Sequence, residues 1–365
     1  MPTRPLRRAT TLVALVLSLA LLAVACGGDD DESASTTTAP STTTTEATTT
    51  TTEPPPVMQL TGLPVPDGDE LAPLRTAMIV KIDNNNSNAR PQRGITTADV
   101  VIEEAVEGNE SRFFAIFHTN LTDPVGPVRS ARTSDIDLMP MFGRPTFSSS
   151  GGNAGTMGSI RDNDVAVVAG HDSPFGSFFF RLNNDGDIRR RGPHNLFVNL
   201  SELYAAAADQ GSSPPPFATW RGADDALPET ALPTFGVDIT FGQNPIQWVW
   251  DEPAGGFLRW QRGTPHVDPD GTQVNADNVL LLMTPYAVSP FDATSPEARS
   301  VGSGEGWVLT AGQAIHGTWT RETREATYTF TDDEGNVVPL TPGQTWVELL
   351  KPQNPPSFLE ADPRG

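Results

Sequence analysis

Two arginines three residues apart, Arg129 and Arg132, flank Ser130 in the stretch Gly126-Pro-Val-Arg-Ser-Ala-Arg132. Guanidinium forks at neighbouring positions of a strand or loop clamp a phosphate or a carboxylate through paired hydrogen bonds. The alternative is internal: pairing with Glu103, Glu104 or Glu107 of a nearby strand. Arg112 belongs to the same candidate group. A glycine-rich stretch, Ser148-Ser-Ser-Gly-Gly-Asn-Ala-Gly155, follows a short strand pattern and precedes a helical one. Exposed backbone N–H groups at such a start favour anions, and Gly151 and Gly152 would permit close approach. The lysine of a P-loop is missing, since Thr156 follows Gly155 directly. A tight turn is the competing reading. His194 in Gly192-Pro-His-Asn195 is the histidine best placed by type for acid–base work, with Glu107 as its carboxylate counterpart. Asn195 beside it is a further ligand candidate.

Other chemistries find less support. The five histidines (118, 171, 194, 266 and 316) form no metal-ligand spacing. No metal or cofactor is expected. A Ser130–His194–Asp triad lacks the Gly-x-Ser-x-Gly elbow. Asp268-Pro-Asp270-Gly271 has the opening of a calcium loop, but its twelfth position is Val279, so a hairpin turn is expected. Glycosidases use two carboxylates about 5–9.5 Å apart, and Glu103, Glu104 and Glu107 are the acids that could supply them. All seven tryptophans lie between positions 220 and 346. They suit either the core of a β domain or a stacking surface for sugars.

The elements that must position these residues follow from the local patterns. Residues 77–82, 99–105, 112–118, 145–148 and 165–169 read as strands, being short and β-branched. Residues 134–142 read as a helix capped by Ser134 and broken or kinked at Pro140. A second helix runs into Arg161 from the glycine loop, and a third covers 202–210, capped by Ser201 and stopped by Gly211. Prolines cluster at 213–235, where a connector is expected. Beyond it lie short strands at 246–250, 257–262, 279–283, 306–310, 317–321, 326–331 and 345–349, with turn signals between them. The expected fold class is α+β: an α/β-like N-terminal domain with a mixed sheet over 58–212, then a mainly β domain over 236–350 and a tail over 351–365.

The chain of 365 residues carries a formal net charge of −21. Residues 75–200 hold 14 acids against 13 bases, whereas residues 201–365 hold 22 acids against eight bases. The near-neutral segment is therefore the one suited to an anionic partner. The overall acidity argues against nucleic acid.

Cys26 is the one cysteine. Arg4, Arg7 and Arg8 precede an apolar run ending at Val24, the pattern of a signal peptide over 1–25. Its roughly 13 apolar residues are too few to span a bilayer core of ~30 Å. Cysteine at the cut site resembles a bacterial lipobox, although Ala23 stands where Leu is usual. Residues 26–57 form a Thr/Pro-rich linker with nothing to bury, a flexible tether about 30 Å end to end.

Three stretches carry a family resemblance: Asn88-Ala-Arg-Pro-Gln-Arg-Gly-Ile-Thr-Thr-Ala-Asp99, Gly126–Arg132, and Gly317-Thr-Trp319 with Pro342-Gly-Gln-Thr-Trp346. They resemble the YerB-like bacterial lipoproteins over roughly residues 58–350. Arg189-Arg190-Arg191 and Pro140 depart from the pattern. The resemblance implies a membrane-tethered, two-domain envelope protein and carries over no catalytic residue. The expected function is thus a lipid-anchored, extracytoplasmic scaffold or regulator. Its partners would be the membrane, through Cys26, and peptidoglycan, another anionic envelope polymer or an envelope protein. The competing expectation is a hydrolase of envelope glycans or phosphodiesters, built on a Glu/Arg/His cleft.

Overall fold

The computed structural model describes residues 55–85 and 88–364. Cys26, the expected signal peptide and most of the expected linker lie outside them. Every residue of the strands Met78–Asp83, Val100–Ala105 and Ser111–Phe117 is buried. A strand buried on both faces belongs at the centre of a covered sheet. Here the sheet has eleven strands and is mixed. Thr146–Ser149 and Val167–Gly170 extend one side in parallel from Met78–Asp83. On the other side Val100–Ala105 pairs in parallel with Thr345–Leu350, a strand from near the C-terminus. That strand pairs in parallel with Asn278–Met283 in turn, and the hairpin Gly302–Thr310 and Gln313–Arg321 continues the sheet. One sheet therefore runs through both halves of the sequence, and the fold is α+β.

Alternation along each strand sends neighbouring side chains to opposite faces. Val80, Val101, Phe113, Leu281 and Trp346 look toward a second, antiparallel sheet built on Gly236–Phe241, Asn244–Asp251 and Gly256–Gln261. Ile79, Ile102, Phe114, Leu280 and Val347 look the other way, toward Leu138, Met141 and Phe142.

Helices are short. Pro140 ends the α-helix Ser134–Leu138, and a 3-10 turn Met139–Phe142 continues it. Ser134 is not its cap: Thr133 holds that position, and the Ser134 hydroxyl accepts the Ala298 N–H at 2.9 Å. The glycine loop runs into helix Ala154–Asp162 as expected, and Asn153 caps it, its Oδ1 accepting the Gly155 N–H at 2.9 Å. The third helix is Leu200–Ala207, starting two residues earlier than expected, and a 3-10 turn Ala208–Gln210 carries it to the expected end. Ser201 therefore lies within it, its N–H donating to Asp123 Oδ1.

Adjacent acids on one strand, Glu103 and Glu104, point to opposite faces and each finds its own buried cation. Glu104 pairs with Lys81, which also donates to Asp135 at 2.7 Å. Glu103 pairs with Arg259 of the second sheet at 2.6 Å. The Arg259 guanidinium lies 5.1 Å from the Trp346 ring and 5.3 Å from that of Phe113. Removing one partner of such a pair leaves an uncompensated buried charge. Arg259→Met is accordingly expected to cost about 3–5 kcal/mol in urea unfolding. Adding Glu103→Gln should recover part of that loss, and an unchanged unfolding midpoint in Arg259→Met would contradict the role given to the pair.

Candidate functional site

The strand end at Asp83 organises the residues singled out above. Asp83 faces Arg112 across the antiparallel pair of Met78–Asp83 and Ser111–Phe117. Its side chain is fully buried, yet its Oδ2 lies 3.1 Å from Arg129 Nε and 2.7 Å from His194 Nδ1. Because a carboxylate only accepts, the imidazole donates through Nδ1 and keeps Nε2 free. Arg129 and His194 are 20% and 14% exposed. Among the described residues neither Nη of Arg129 nor Nε2 of His194 has a hydrogen-bond partner. The Arg129 guanidinium thus keeps its Nη donors open in front of Asp83, while His194, donating through Nδ1, presents Nε2 as an acceptor unless the ring carries both protons.

Arg132 behaves differently. Its Nε donates to Glu107 Oε2 at 2.8 Å, its Nη2 to Glu107 Oε1, and its Nη1 to the Ala131 carbonyl. Arg112 adds a 3.3 Å contact to Glu107 and donates to the Ser130 carbonyl at 2.8 Å. Burial pushes the Glu107 carboxyl up. The Arg132 hydrogen bond and the charges of Arg112 and Arg132 outweigh that and hold it below the usual carboxylate range. Burial, with help from Arg132, lowers Arg112 to about 10 against the pull of Glu107. A carboxyl held ionised suits ion pairing and is a poor proton donor.

The structure therefore brings Glu107, Arg112, Arg129, Arg132 and His194 to one region, as two adjoining groups joined by the Asp83–Arg112 pairing. Pairing of Arg129 or Arg132 with Glu103 or Glu104 does not occur, because those acids point inward to Arg259 and Lys81. They are fully buried and offer no open carboxylate pair. Asn195 is tied up structurally, bonded to Arg181 and Asn183 at 2.7 Å each. Of the arginine run, Arg190 is buried against Asp185 and the Pro91 carbonyl.

Ser130, Gly152 and Arg132 line a cavity of about 420 Å³, with Ser150 and Thr156. The Ser130 and Ser150 hydroxyls are 3.4 Å apart. Gly151 sits at φ +94°, with its carbonyl accepting the Ala131 N–H, so the glycine loop is docked against the arginine segment. The far wall, Ser289, Asp292 and Ser295, comes from the hairpin Tyr286–Ser289 and Asp292–Ala298. Sequence reasoning missed this wall. Serines and an aspartate in a hairpin carry no spacing signal of their own. Asp83 was missed too, because its two partners lie 46 and 111 residues away.

Three tryptophans, Trp248, Trp319 and Trp346, are buried in the shared core, and the other four are half-buried. Asp268 forms the expected turn and does more. Its Oδ2 accepts the Gly94 N–H and the Thr96 hydroxyl, tying the turn to the Ile95–Thr97 3-10 helix.

Fold and site define an α+β protein with one mixed sheet shared by two halves and an aspartate-backed Arg/His edge at a strand end. Residues 60–213 match the family described as "Protein of unknown function (DUF3048) N-terminal domain", and residues 237–347 match its C-terminal domain. The chain belongs to this family. It is 26% identical over 283 residues to "Putative lipoprotein YerB" of Bacillus subtilis (strain 168), covering 74% of this chain and 80% of that one. The crystal structure of the YerB protein from Bacillus subtilis superposes with a TM-score of 0.69 at 23% identity. It covers 82% of this chain and 99% of that chain, a likeness of fold.

Burial raises the Asp268 carboxyl from 3.8 to about 6, against the hydrogen bonds from Thr96 and Gly94. Its protonated form is thus favoured by folding. That stabilisation is complete below pH 3.8 and lost as pH rises through about 6. Asp268→Asn keeps the acceptor and removes the charge. Its melting temperature relative to wild type should rise between pH 4 and pH 7, and a difference that falls over this window would contradict the assignment.

Proposed function

We propose that this protein is an envelope lipoprotein, anchored through Cys26, whose globular part binds an anionic cell-wall polymer and acts as a scaffold or regulator. The anchor rests on the sequence before and at Cys26 and on the name of the similar YerB protein. Among the described residues no helix is long and apolar enough to cross a membrane. One lipid chain alone binds a bilayer only marginally, so stable attachment requires at least two signals.

Binding is supported by a single observation: the open Nη donors of Arg129 beside buried Asp83, with the His194 ring next to them. A phosphate or carboxylate oxygen meets the paired Nη donors of Arg129 there, and a His194 ring carrying both protons would add a third. The edge belongs to the near-neutral segment of a protein that is otherwise strongly acidic. The hydrolase alternative draws on the same residues, but there Glu107 is paired with Arg112 and Arg132.

Two measurements test the proposal. Cys26→Ser should release the protein from the membrane fraction. Arg129→Ala should weaken retention on phosphate-bearing wall polymer by about tenfold or more, the worth of a charged hydrogen bond. Arg132→Ala should leave retention within about twofold, since its guanidinium serves Glu107. Equal retention of Arg129→Ala and wild type would refute the anion edge.

A further inference from the structure

We propose that the cavity beneath the Tyr286–Ala298 hairpin is a second binding site, for an uncharged saccharide. The site is separate from the Arg129–His194 edge, so it does not depend on that reading.

The cavity measures about 420 Å³, within the range of small-molecule sites. Its chemistry is that of a polyhydroxylated ligand. Ser130 and Ser150 face each other at 3.4 Å, and Thr133 and Ser289 meet across the two halves at 2.6 Å. Each hydroxyl has one donor and two acceptor positions, so these contacts leave capacity unused. Asp292 adds a planar carboxylate. Its Oδ1 accepts from the Thr294 N–H and hydroxyl and its Oδ2 from Ser295 at 2.9 Å, which fixes its orientation.

Charge decides against an ionic ligand. The charged residues that line the cavity are Asp292 and Arg132, one of each sign, and they cancel. Glu107 lies behind the lining, its Oε2 3.5 Å from the Ser295 hydroxyl. The Arg132 donors are already committed to Glu107 and to main-chain carbonyls. An anion would find no open donor pair here, whereas sugar hydroxyls can both donate to Asp292 and accept from the serines.

The hairpin is latched in place. Asn153 donates to the Phe291 carbonyl at 2.9 Å, and the Phe291 ring lies so close to Gly155 that a Cβ there would approach it to 2.4 Å. Phe291 remains 38% exposed beside Asp292, an apolar face of the kind on which sugar rings stack. Gly155 thus leaves room for the Phe291 ring to pack beside the loop, a role the glycine pattern alone did not show.

The test is calorimetric titration of the full chain in detergent with cellobiose and with N,N′-diacetylchitobiose. At least one should bind. Asp292→Asn should weaken that binding about fivefold or more, and Ser150→Phe, which fills the cavity, should abolish it. Arg129→Ala should leave saccharide binding unchanged while reducing the response to inorganic phosphate, so the two sites fail separately. Melting temperatures and far-UV spectra verify that each variant is folded. Absence of binding for both disaccharides, or binding that neither Asp292→Asn nor Ser150→Phe weakens, overturns the proposal.

Discussion

Glu103 sits in the middle of a strand buried on both faces, and a carboxylate there requires a cation brought to it in the dry interior. Arg259 is that cation. It comes from the second sheet, more than 150 residues further along the chain. The Arg259 Nη1 group also donates to His266 Nδ1 at 2.6 Å and to Gln261 at 2.8 Å, and His266 contacts Gln92 at 2.8 Å. Burial and the neighbouring arginine hold His266 neutral, well below its ordinary range. Glu348, facing Glu103 in the adjacent parallel strand, is driven the other way. Burial and the Glu103 charge raise it well above the carboxylate range, and Trp248 donates to it at 2.9 Å. The two carboxyls thus stand side by side, Glu103 accepting from Arg259, Asn84 and Ser111 and Glu348 from the Trp248 indole. None of these groups could be buried at this cost without the others.

The surface features follow from that frame. The sheet crosses from one half of the sequence to the other, so loops from distant segments meet at its rim. Asp83 ends one strand, Arg112 stands opposite it, and Arg129 and His194 arrive from two separate loops. The Tyr286–Ala298 hairpin reaches over the Ser150–Gly155 loop for the same reason. Both candidate regions are therefore composite. The buried residues set their geometry, and only a few side chains remain to recognise a ligand.

Much of the architecture was legible in local pattern. Runs such as Met78-Ile-Val and Phe113-Phe-Ala-Ile alternate cleanly between two apolar clusters, and Pro140 ends its helix for the reason its ring dictates. Position in the sheet was not legible. Thr345–Leu350 reads as an ordinary strand, and nothing in its six residues says that it lies between Val100–Ala105 and Asn278–Met283. Parallel pairing across some 240 residues leaves no local trace. The same holds for the site. Arg129 and Arg132 look equivalent in sequence, yet one is open and the other is closed by Glu107. Their difference is set by Asp83 and Arg112, whose proximity exists only after folding. Ser289, Asp292 and Ser295 escaped notice because hydroxyls in a hairpin are indistinguishable from solvent-facing ones until something packs opposite them.

The central claim is that the two halves are one cooperative structure joined through the Glu103–Arg259–Glu348 core. Native-state hydrogen exchange tests it most directly, by comparing amides in Met78–Asp83, Asn278–Met283 and Thr345–Leu350 under increasing denaturant. The account predicts that all three converge on a single opening free energy equal to that of global unfolding. Exchange of Asn278–Met283 and Thr345–Leu350 at a lower free energy, with Met78–Asp83 still protected, would contradict it.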